Sequence, residues 1–193
     1  MGKLVVQQFV SLDGFAANDS GEFTVFDGVE GGSAQFDRNN LAWLQKVDAI
    51  VFGANTYRMF VGYWPEMTAE REIVAPRINA LPKFVFSGSL ADAPWGQHAP
   101  AEIERGDAVD GVLRVKRQFA GDIIVWGSLD LTATLFEADV VDTVRLVVVP
   151  SILGSGKGVF PPSFAGSRLR LVAAAAFDDT VVESEYEVVR DAI

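Results

Sequence analysis

Three short apolar runs in the sequence each end in a turn that combines glycine with a hydroxyl side chain. The three turns are Phe52-Gly53-Ala54-Asn55-Thr56, Phe86-Ser87-Gly88-Ser89 and Trp126-Gly127-Ser128-Leu129. Glycine lets the backbone come close to a ligand, and N–H groups at the start of a helix donate to phosphate oxygens. In an open α/β sheet, such turns meet beyond the carboxyl ends of the strands. Their spacing predicts a cradle for the phosphates of a dinucleotide.

A plainer interpretation stays open for each turn alone, because a strand that leads into a helix often needs a glycine. Two familiar phosphate motifs are missing from the sequence. No Gly-x-Gly-x-x-Gly follows a predicted strand, so a Rossmann-type site is unsupported. The stretch Gly-Ser-Gly-Lys-Gly at 154–158 resembles a P-loop only in part. Ser151 stands where the P-loop has its first glycine, and Gly158 stands where it has a Ser or Thr. The dinucleotide prediction therefore depends on the three turns together.

Composition limits the classes of function that are open to the chain. It has 193 residues, of which 49% are hydrophobic and 22% charged, and this predicts one folded domain over residues 1–193. A formal net charge of -10 disfavours nucleic acid and anionic membranes as partners. With no cysteine and only His98, neither thiol catalysis nor a Cys or His metal site is expected. No export signal is visible, so a cytoplasmic location is expected.

Strand and helix patterns alternate along the chain, which predicts an α/β fold around a mixed, mostly parallel sheet. Runs typical of strands cover residues 4–10, 49–52, 83–87, 123–126, 143–150, 169–176 and 180–190. Runs typical of helices cover residues 37–47, 55–60, about 70–79, 107–119 and 128–138, with Asp107 and Ser128 as N-caps. The last two strands are close enough to form an antiparallel hairpin. The long stretches 11–36 and 151–167 are candidate active-site loops.

Four motifs occur along the chain in an order that resembles one family. They are Ser-Leu-Asp-Gly-Phe-Ala-Ala at 11–17, Phe-Gly-x-x-Thr-Tyr at 52–57, Ile-Val-Trp-Gly-Ser at 124–128 and Val-Val-Pro-x-x-Leu-Gly-x-Gly-Lys-x-x-Phe at 148–160. Over nearly its whole length, the chain is similar to the reductase half of the bacterial riboflavin-pathway deaminase-reductase, the RibD C-terminal-like group of the dihydrofolate reductase superfamily. This resemblance implies a three-layer fold of about eight strands that binds NADPH and a small substrate. It also implies a homodimer, for which the C-terminal hairpin offers an edge.

Carried over by motif position, the resemblance gives each turn a part of the cofactor to bind. It places Ala16 and Ala17 at the nicotinamide. The other implied contacts are Gly53, Asn55, Thr56, Gly127, Ser128 and Leu129 at the pyrophosphate, and Ser87, Gly88 and Ser89 at the adenosine ribose and its 2′-phosphate. These residue types suit the role, since glycines let the backbone come close to a ligand and hydroxyls donate to phosphate oxygens.

Two positions depart from the dihydrofolate reductase pattern. Ala54 stands where an arginine commonly helps to bind the phosphates, which leaves the choice between NADPH and NADH open. Candidate replacement charges are Arg58, Lys83, Arg114 and Lys116, although side chains of this kind are more often ordinary surface charges. Asn40 stands where an acidic residue usually binds the pteridine, and an amide cannot shuttle a proton. Folate reduction is therefore disfavoured, and reduction of another heterocycle is favoured.

Asp13 is the first candidate for a catalytic acid, because its turn follows the first predicted strand, where the nicotinamide should arrive. A purely structural role in the Asp-Gly turn stays open. The candidates for a flat substrate pocket are Phe9, Asn40, Trp43, Tyr63 and Trp64. Phe9 and Trp43 could equally be core residues. The sequence thus predicts an NADPH-dependent reductase of a small, pyrimidine- or pteridine-like substrate, and the alternative is a nucleotide-binding sensor without the chemistry.

Overall fold

A computed structural model describes residues 2–29 and 33–190 of the chain. Its strands are β1 (Leu4–Val10), β2 (Phe15–Ala17), β3 (Val47–Gly53), β4 (Lys83–Phe86), β5 (Glu102–Glu104), β6 (Asp122–Trp126), β7 (Thr143–Val148), β8 (Lys157–Gly158), β9 (Arg168–Phe177) and β10 (Val181–Val189). Its helices are α1 (Ala34–Leu44), α2 (Ala54–Val61), α3 (Ala75–Ala80), α4 (Ala108–Gln118) and α5 (Leu129–Glu137), with a short 3-10 helix at Trp64–Glu66.

Eight strands form one mixed sheet in the order β5-β4-β3-β6-β1-β7-β10-β9. β1 pairs in parallel with β6 and β7, and β3 pairs in parallel with β6 and β4. β10 runs antiparallel between β7 and β9, so the sheet ends in the predicted hairpin. The α/β fold with a mostly parallel sheet is therefore confirmed. Because β1, β3, β4 and β6 run the same way, their carboxyl ends lie at one edge.

The central strands are held by burial on both faces. Leu4, Val6, Ile50, Val51 and Ile124 are all fully buried in the described structure. β-Branched and leucine side chains of this kind pack well between two layers of helices, which is why these strands read as unbroken apolar runs. The rigid centre of the sheet fixes the positions at which its loops begin.

Two predicted helices differ from the observed ones by three residues or more at one or both ends, and one strand of the eight-stranded sheet was not predicted. The first helix begins at Ala34 instead of residue 37, since the Ser33 side chain accepts a hydrogen bond from the Phe36 N–H at 3.0 Å and caps it there. The same helix ends at Leu44, and Val47 opens β3. The helix expected near residues 70–79 covers only Ala75–Ala80, with a proline in its first turn. β5 was missed because Glu-Ile-Glu at an edge has no apolar run.

The two long predicted loops are joined to each other. Phe15 pairs with Gly158 and Ala17 with Lys157, which makes a small antiparallel sheet of β2 and β8. A Cβ at Gly156 would lie 2.2 Å from the Ala17 carbonyl oxygen, so only glycine permits this close approach. Residues 30–32 of the first loop lie outside the described residues. No helix among the described residues has the length and apolar character to cross a membrane.

Candidate functional site

A cleft of about 1250 Å³ opens at the edge of the sheet where β1, β3, β4 and β6 end. One wall is formed by residues 53–56, 86–88 and 126–131, which include the three glycine turns. A second wall includes Asp37 and Asn40 of α1 and residues of the loop after β1. The three turns, far apart in sequence, therefore meet at one cleft.

Most of the predicted site residues line this cleft. They are Phe9, Ala16, Ala17, Asn40, Gly53, Asn55, Thr56, Tyr63, Trp64, Ser87, Gly88, Gly127, Ser128 and Leu129. Asp13, Trp43 and Ser89 are not among the lining residues. Among the described residues, no group of three or more His, Cys, Asp or Glu side chains could hold a metal ion.

The turns after β3 and β6 hold each other in place. The Gly53 N–H donates to Ser128 Oγ at 2.7 Å, and the Ser128 N–H donates to Thr56 Oγ1 at 2.8 Å. Gly127 lies at a φ of 54°, and a Cβ there would lie 2.8 Å from Thr56 Oγ1. Both the left-handed backbone and the close contact require glycine at this position. The two turns thus behave as one rigid unit.

The helices that begin at these turns have no side-chain caps. α2 begins after Gly53 and α5 after Ser128, and neither residue caps the helix with its side chain. By contrast, Ser33 caps α1 and Asp107 caps α4. Ser128 occupies the predicted N-cap position, but at a φ of 57° its hydroxyl faces Gly53 instead of the helix. Two helix N-termini thus present free N–H groups and positive dipole ends to the cleft, a combination that suits a pyrophosphate.

The turn after β4 has an arginine that the sequence analysis missed. Arg105 donates through Nη1 to the carbonyl of Gly88 at 3.1 Å, and through Nη2 to the carbonyl of Leu90 at 2.6 Å. It directly follows β5, the strand that was not predicted, so its position near the turn could not be inferred. Ser87 Oγ accepts hydrogen bonds from the Ser89 and Leu90 N–H groups, at 3.2 and 3.1 Å. The backbone of Ser89 therefore stabilises the turn, and Ser89 itself does not line the cleft.

Two of the predicted replacement charges lie at the wrong end of the sheet. Lys83 opens β4 and donates to backbone carbonyls at 2.7 and 2.9 Å, where burial lowers its pKa to about 8. Lys116 pairs with Asp142, which also accepts from the N–H of Leu4 at the start of β1. Both lysines therefore hold the amino ends of the strands and cannot reach the cleft.

The other two predicted charges lie nearer to the glycine turns. Arg58 donates to Asn55 Oδ1 at 3.0 Å, within the first turns of α2. Arg114 pairs with Glu104 at 2.8 Å and so neutralises a carboxylate that lines the cleft. A further cation, Lys157 of β8, also lines the cleft and was not predicted as a site residue.

Asp13 serves the loop in which it lies. Its carboxylate accepts from the N–H of Gly154 at 2.7 Å and of Leu153 at 3.2 Å, and so ties the two long loops together. A hydrogen bond with Ser11, together with these N–H groups, lowers the pKa of its exposed carboxyl. A carboxyl that is easily ionised and lies outside the cleft does not fit the predicted role of proton donor.

The aromatic residues divide between the cleft and the core. Phe9 lines the cleft, and its ring lies 5.2 Å from that of Phe26 and 5.8 Å from that of Phe36. Trp43, which was predicted for the substrate pocket, is not among the residues that line the cleft. Its indole N–H donates to Glu185 at 2.9 Å, and its ring lies 4.3 Å from the guanidinium of Arg145, on the side of α1 that packs against the sheet.

Of the carboxyl side chains that line the cleft, none was predicted from the sequence, and Asp37 has the most unusual surroundings. Asp37 lies three residues before Asn40, on the same face of α1, and both line the cleft. Burial raises the pKa of Asp37 above 3.8, and the Glu72 carboxylate raises it further, while Arg38 lowers it. Glu72 also accepts a hydrogen bond from Tyr63 at 2.5 Å, which raises the pKa of that phenol to about 12. The sequence signal that could have identified Asp37 is its spacing of one helical turn from Asn40.

Comparison with known proteins places the fold in a family. The model of the RibD C-terminal domain matches residues 2–182. The chain belongs to this family. This RibD C-terminal domain chain is similar to the uncharacterized protein YwjB of Bacillus subtilis (strain 168). The two are 26% identical over 179 residues, which cover 93% of this chain and 94% of YwjB.

Solved structures of RibD-like and dihydrofolate reductase-like proteins share the architecture. A putative riboflavin biosynthesis protein from Shewanella sp. PV-4 matches with a TM-score of 0.74 and 18% identity, covering 97% of this chain and 99% of that chain. Dihydrofolate reductase from Enterococcus faecalis, complexed with NADP(H), matches with a TM-score of 0.60 and 12% identity over 96% of both chains. The predicted dihydrofolate reductase-like fold is confirmed.

Proposed function

We propose that the protein is an NADPH-dependent reductase of a small, pyrimidine- or pteridine-like heterocycle. The observation that carries the proposal is the pair of uncapped helix N-termini, α2 and α5, which begin at two interlocked glycine turns and face one cleft. Membership of the RibD C-terminal domain family and the fold shared with an NADP(H)-bound reductase support it.

We assign a part of NADPH to each group of cleft residues, and to Arg105, which does not line the cleft itself but donates to the carbonyls of Ser87 and Gly88. The N–H groups of Asn55 and Thr56 and of Leu129 would hold the pyrophosphate. Ser87 and Gly88 would lie beside the adenosine ribose, with Arg105 next to a 2′-phosphate. Ala16 and Ala17, which are buried, would lie along the nicotinamide. When bound, NADPH would supply a hydride, and the chain would supply position and exclude water.

Reduction of a C=N or C=O bond also requires a proton. Asp37 is the cleft carboxyl that we propose for this role, with water as the other source, in place of Asp13. Its half-buried position and the neighbouring Glu72 both favour its protonated form, as a general acid requires. The phenylalanine cluster around Phe9 would hold a flat ring near this carboxyl.

The proposal is tested by titrating the purified protein with NADPH and, separately, with NADH. Tryptophan fluorescence reports binding, because Trp126 lines the cleft, and calorimetry gives the dissociation constants. We expect a dissociation constant for NADPH near or below about 10 μM, with NADH weaker. Absence of binding at millimolar concentrations of either dinucleotide would refute the proposal.

A nucleotide-binding sensor is the second candidate, and the amide of Asn40 favours it, since that position cannot shuttle a proton. The two functions differ in turnover. A reductase oxidises NADPH in the presence of a suitable heterocycle, whereas a sensor binds NADPH and leaves it unchanged. Monitoring the absorbance of bound NADPH against a panel of pyrimidines and pteridines separates them.

We also propose that the protein is a homodimer. β9 is exposed along nearly its whole length, and Leu171 and Val172 are 56% and 52% exposed. An apolar cavity of about 290 Å³ lies beside it, lined by Phe136, Phe160 and Leu169 among others. A second copy placed by two-fold symmetry would cover this apolar edge.

Light scattering should give twice the chain mass, and Leu171→Lys should give a monomer. A monomer at every concentration up to about 100 μM would contradict the proposal.

A further inference from the structure

Asn40 is held in one orientation by a buried arginine. Its side chain is 8% exposed and lines the cleft. Its Oδ1 accepts a hydrogen bond from Nη1 of Arg145 at 2.8 Å. A guanidinium has only donors, so the carbonyl oxygen of Asn40 must be the atom that faces it. The amide cannot be reversed without placing two donors against each other.

Arg145 is itself fixed from three sides. It is fully buried on β7, and its Nη2 donates to Glu183 of β10 at 2.5 Å. The ring of Trp43 covers its guanidinium at 4.3 Å. A charge that is buried and paired in this way cannot move without a large loss of stability. The orientation that it imposes on Asn40 is therefore rigid.

The amide nitrogen of Asn40 is left free to bind a ligand. In residues 2–29 and 33–190, no side chain or backbone group accepts a hydrogen bond from it, since the one side-chain contact of Asn40 is made through Oδ1. The nitrogen is not among the fully buried unpaired atoms of the described residues, so it reaches the surface of the cleft, where an acceptor on a ligand can pair with it. The carboxylate of Asp37, one helical turn earlier, also has no hydrogen-bond partner in that part of the chain and lies at the same cleft.

We infer that Asn40 determines substrate specificity by donating a hydrogen bond from its amide nitrogen to an acceptor on the substrate ring, and that Arg145 is the positioning residue that fixes this polarity. This inference rests on the proposed function, in which the cleft binds a planar heterocycle. The substrate then carries a ring carbonyl, or an unprotonated ring nitrogen, where it meets α1. An adjacent ring N–H would meet the oxygens of Asp37, so a lactam edge satisfies both side chains.

A matched pair of ring compounds tests this polarity. 2-Pyridone offers one N–H donor and one carbonyl acceptor, whereas protonated 2-aminopyridine has the same shape and offers donors only. Dissociation constants for both rings are measured by chemical-shift titration of the protein, at one pH where the amino ring is protonated. The quantity of interest is the ratio of the two constants, which general damage to the fold leaves unchanged.

The central variant is Asn40→Asp, which replaces the donor by an acceptor at almost constant shape. We expect it to weaken 2-pyridone binding and to strengthen binding of the cation, so that the ratio shifts by about tenfold or more. Gln35→Glu is the matched control, because it adds the same charge to an exposed position of α1 outside the cleft. The control should shift the ratio by less than about twofold.

The role of Arg145 is tested by the double variant Arg145→Met/Glu183→Leu, which removes both buried charges together and so leaves neither unpaired. The amide of Asn40 can then turn over and present its oxygen. We expect the ratio to shift in the same direction as in Asn40→Asp, but by about threefold.

Three results would overturn the inference. One is a ratio that Asn40→Asp leaves within about twofold of the wild-type value, and another is an equal shift in Gln35→Glu. The third is failure of both rings to bind the wild-type protein at about 10 mM, since no ring edge would then be recognised. None of these measurements needs NADPH. If NADPH does not bind but the ratio shifts as expected, the reductase proposal fails while the assignment of Asn40 stands.

Discussion

The two walls of the cleft are built from different parts of the chain. The wall at β3 and β6 presents backbone N–H groups, held by glycine turns and two helix N-termini. The wall at α1 presents side chains, chiefly the Asp37 carboxyl and the Asn40 amide. Backbone donors suit a ligand that is constant, whereas side chains can be exchanged without altering the fold. On the proposed function, the first wall would bind the cofactor and the second would bind the substrate.

The sharpest test of this division is Asp37→Asn. We expect turnover of a heterocycle found by the substrate panel to fall by about 100-fold or more, because a general acid is lost. The affinity for NADPH should stay within about twofold, since Asp37 belongs to the other wall. Steady-state kinetics and calorimetry measure the two quantities. Asp27→Asn, on an exposed residue outside the cleft, serves as the control. A parallel loss of NADPH affinity would mean that the walls are not independent.

Gly127→Ala should produce the converse result. A Cβ at this position meets Thr56 Oγ1 at 2.8 Å in a left-handed backbone, so the two turns must separate. We expect a loss of about 1–3 kcal/mol of folding stability and a drop of at least about tenfold in NADPH affinity. Gly62→Ala is the matched control, because Gly62 has a φ of -75° and its added Cβ makes ordinary contacts at 3.6 Å. Equal effects in both variants would argue against a special role for the turn.

Arg105→Ala examines the adenosine end of the cofactor wall. Removing this guanidinium should weaken NADPH by about tenfold relative to NADH, because only NADPH carries the 2′-phosphate. The ratio of the two affinities corrects for the loss of the hydrogen bonds to the Gly88 and Leu90 carbonyls. Arg117→Ala, at the far end of α4, controls for net charge. An unchanged ratio would remove Arg105 from the proposed 2′-phosphate site.

The smallest expected effect is on stability and depends on pH. The folded pKa of Asp37 lies above its unfolded value, so the folded state disfavours the ionised form, and stability falls as pH rises through that range. Asp37→Asn should therefore be more stable than the wild type at neutral pH, by well under about 1 kcal/mol for a half-exposed group. The difference should vanish below about pH 3, where the carboxyl is protonated in both states. Urea unfolding at both pH values tests this, and lower stability of the variant at neutral pH would contradict it.

Sequence reasoning performed differently for the two walls. Gly53 and Gly127 could be singled out because three glycine turns follow apolar strands in the same chain, although each glycine alone has an ordinary structural explanation. Asp37 could not be identified in this way, since the dihydrofolate reductase pattern marks position 40 as the substrate-binding position. A carboxylate on a helix also usually faces water. Trp43 was assigned to the pocket because sequence spacing does not reveal which face of α1 lies on the sheet. Arg145, which decides the orientation of Asn40, is 105 positions away and carries no local signal.

Within the long central strands, backbone pairing extends over many residues, whereas β2 and β8 pair at only two positions, Phe15 with Gly158 and Ala17 with Lys157. Segments with so few hydrogen bonds open locally at a small fraction of the free energy of global unfolding. The amide protons of this small sheet should consequently exchange with solvent far faster than those of β1 or β6. Because Ala16 and Ala17 line the cleft, slower exchange at these amides would report that a ligand occupies the part of the cleft proposed for the nicotinamide.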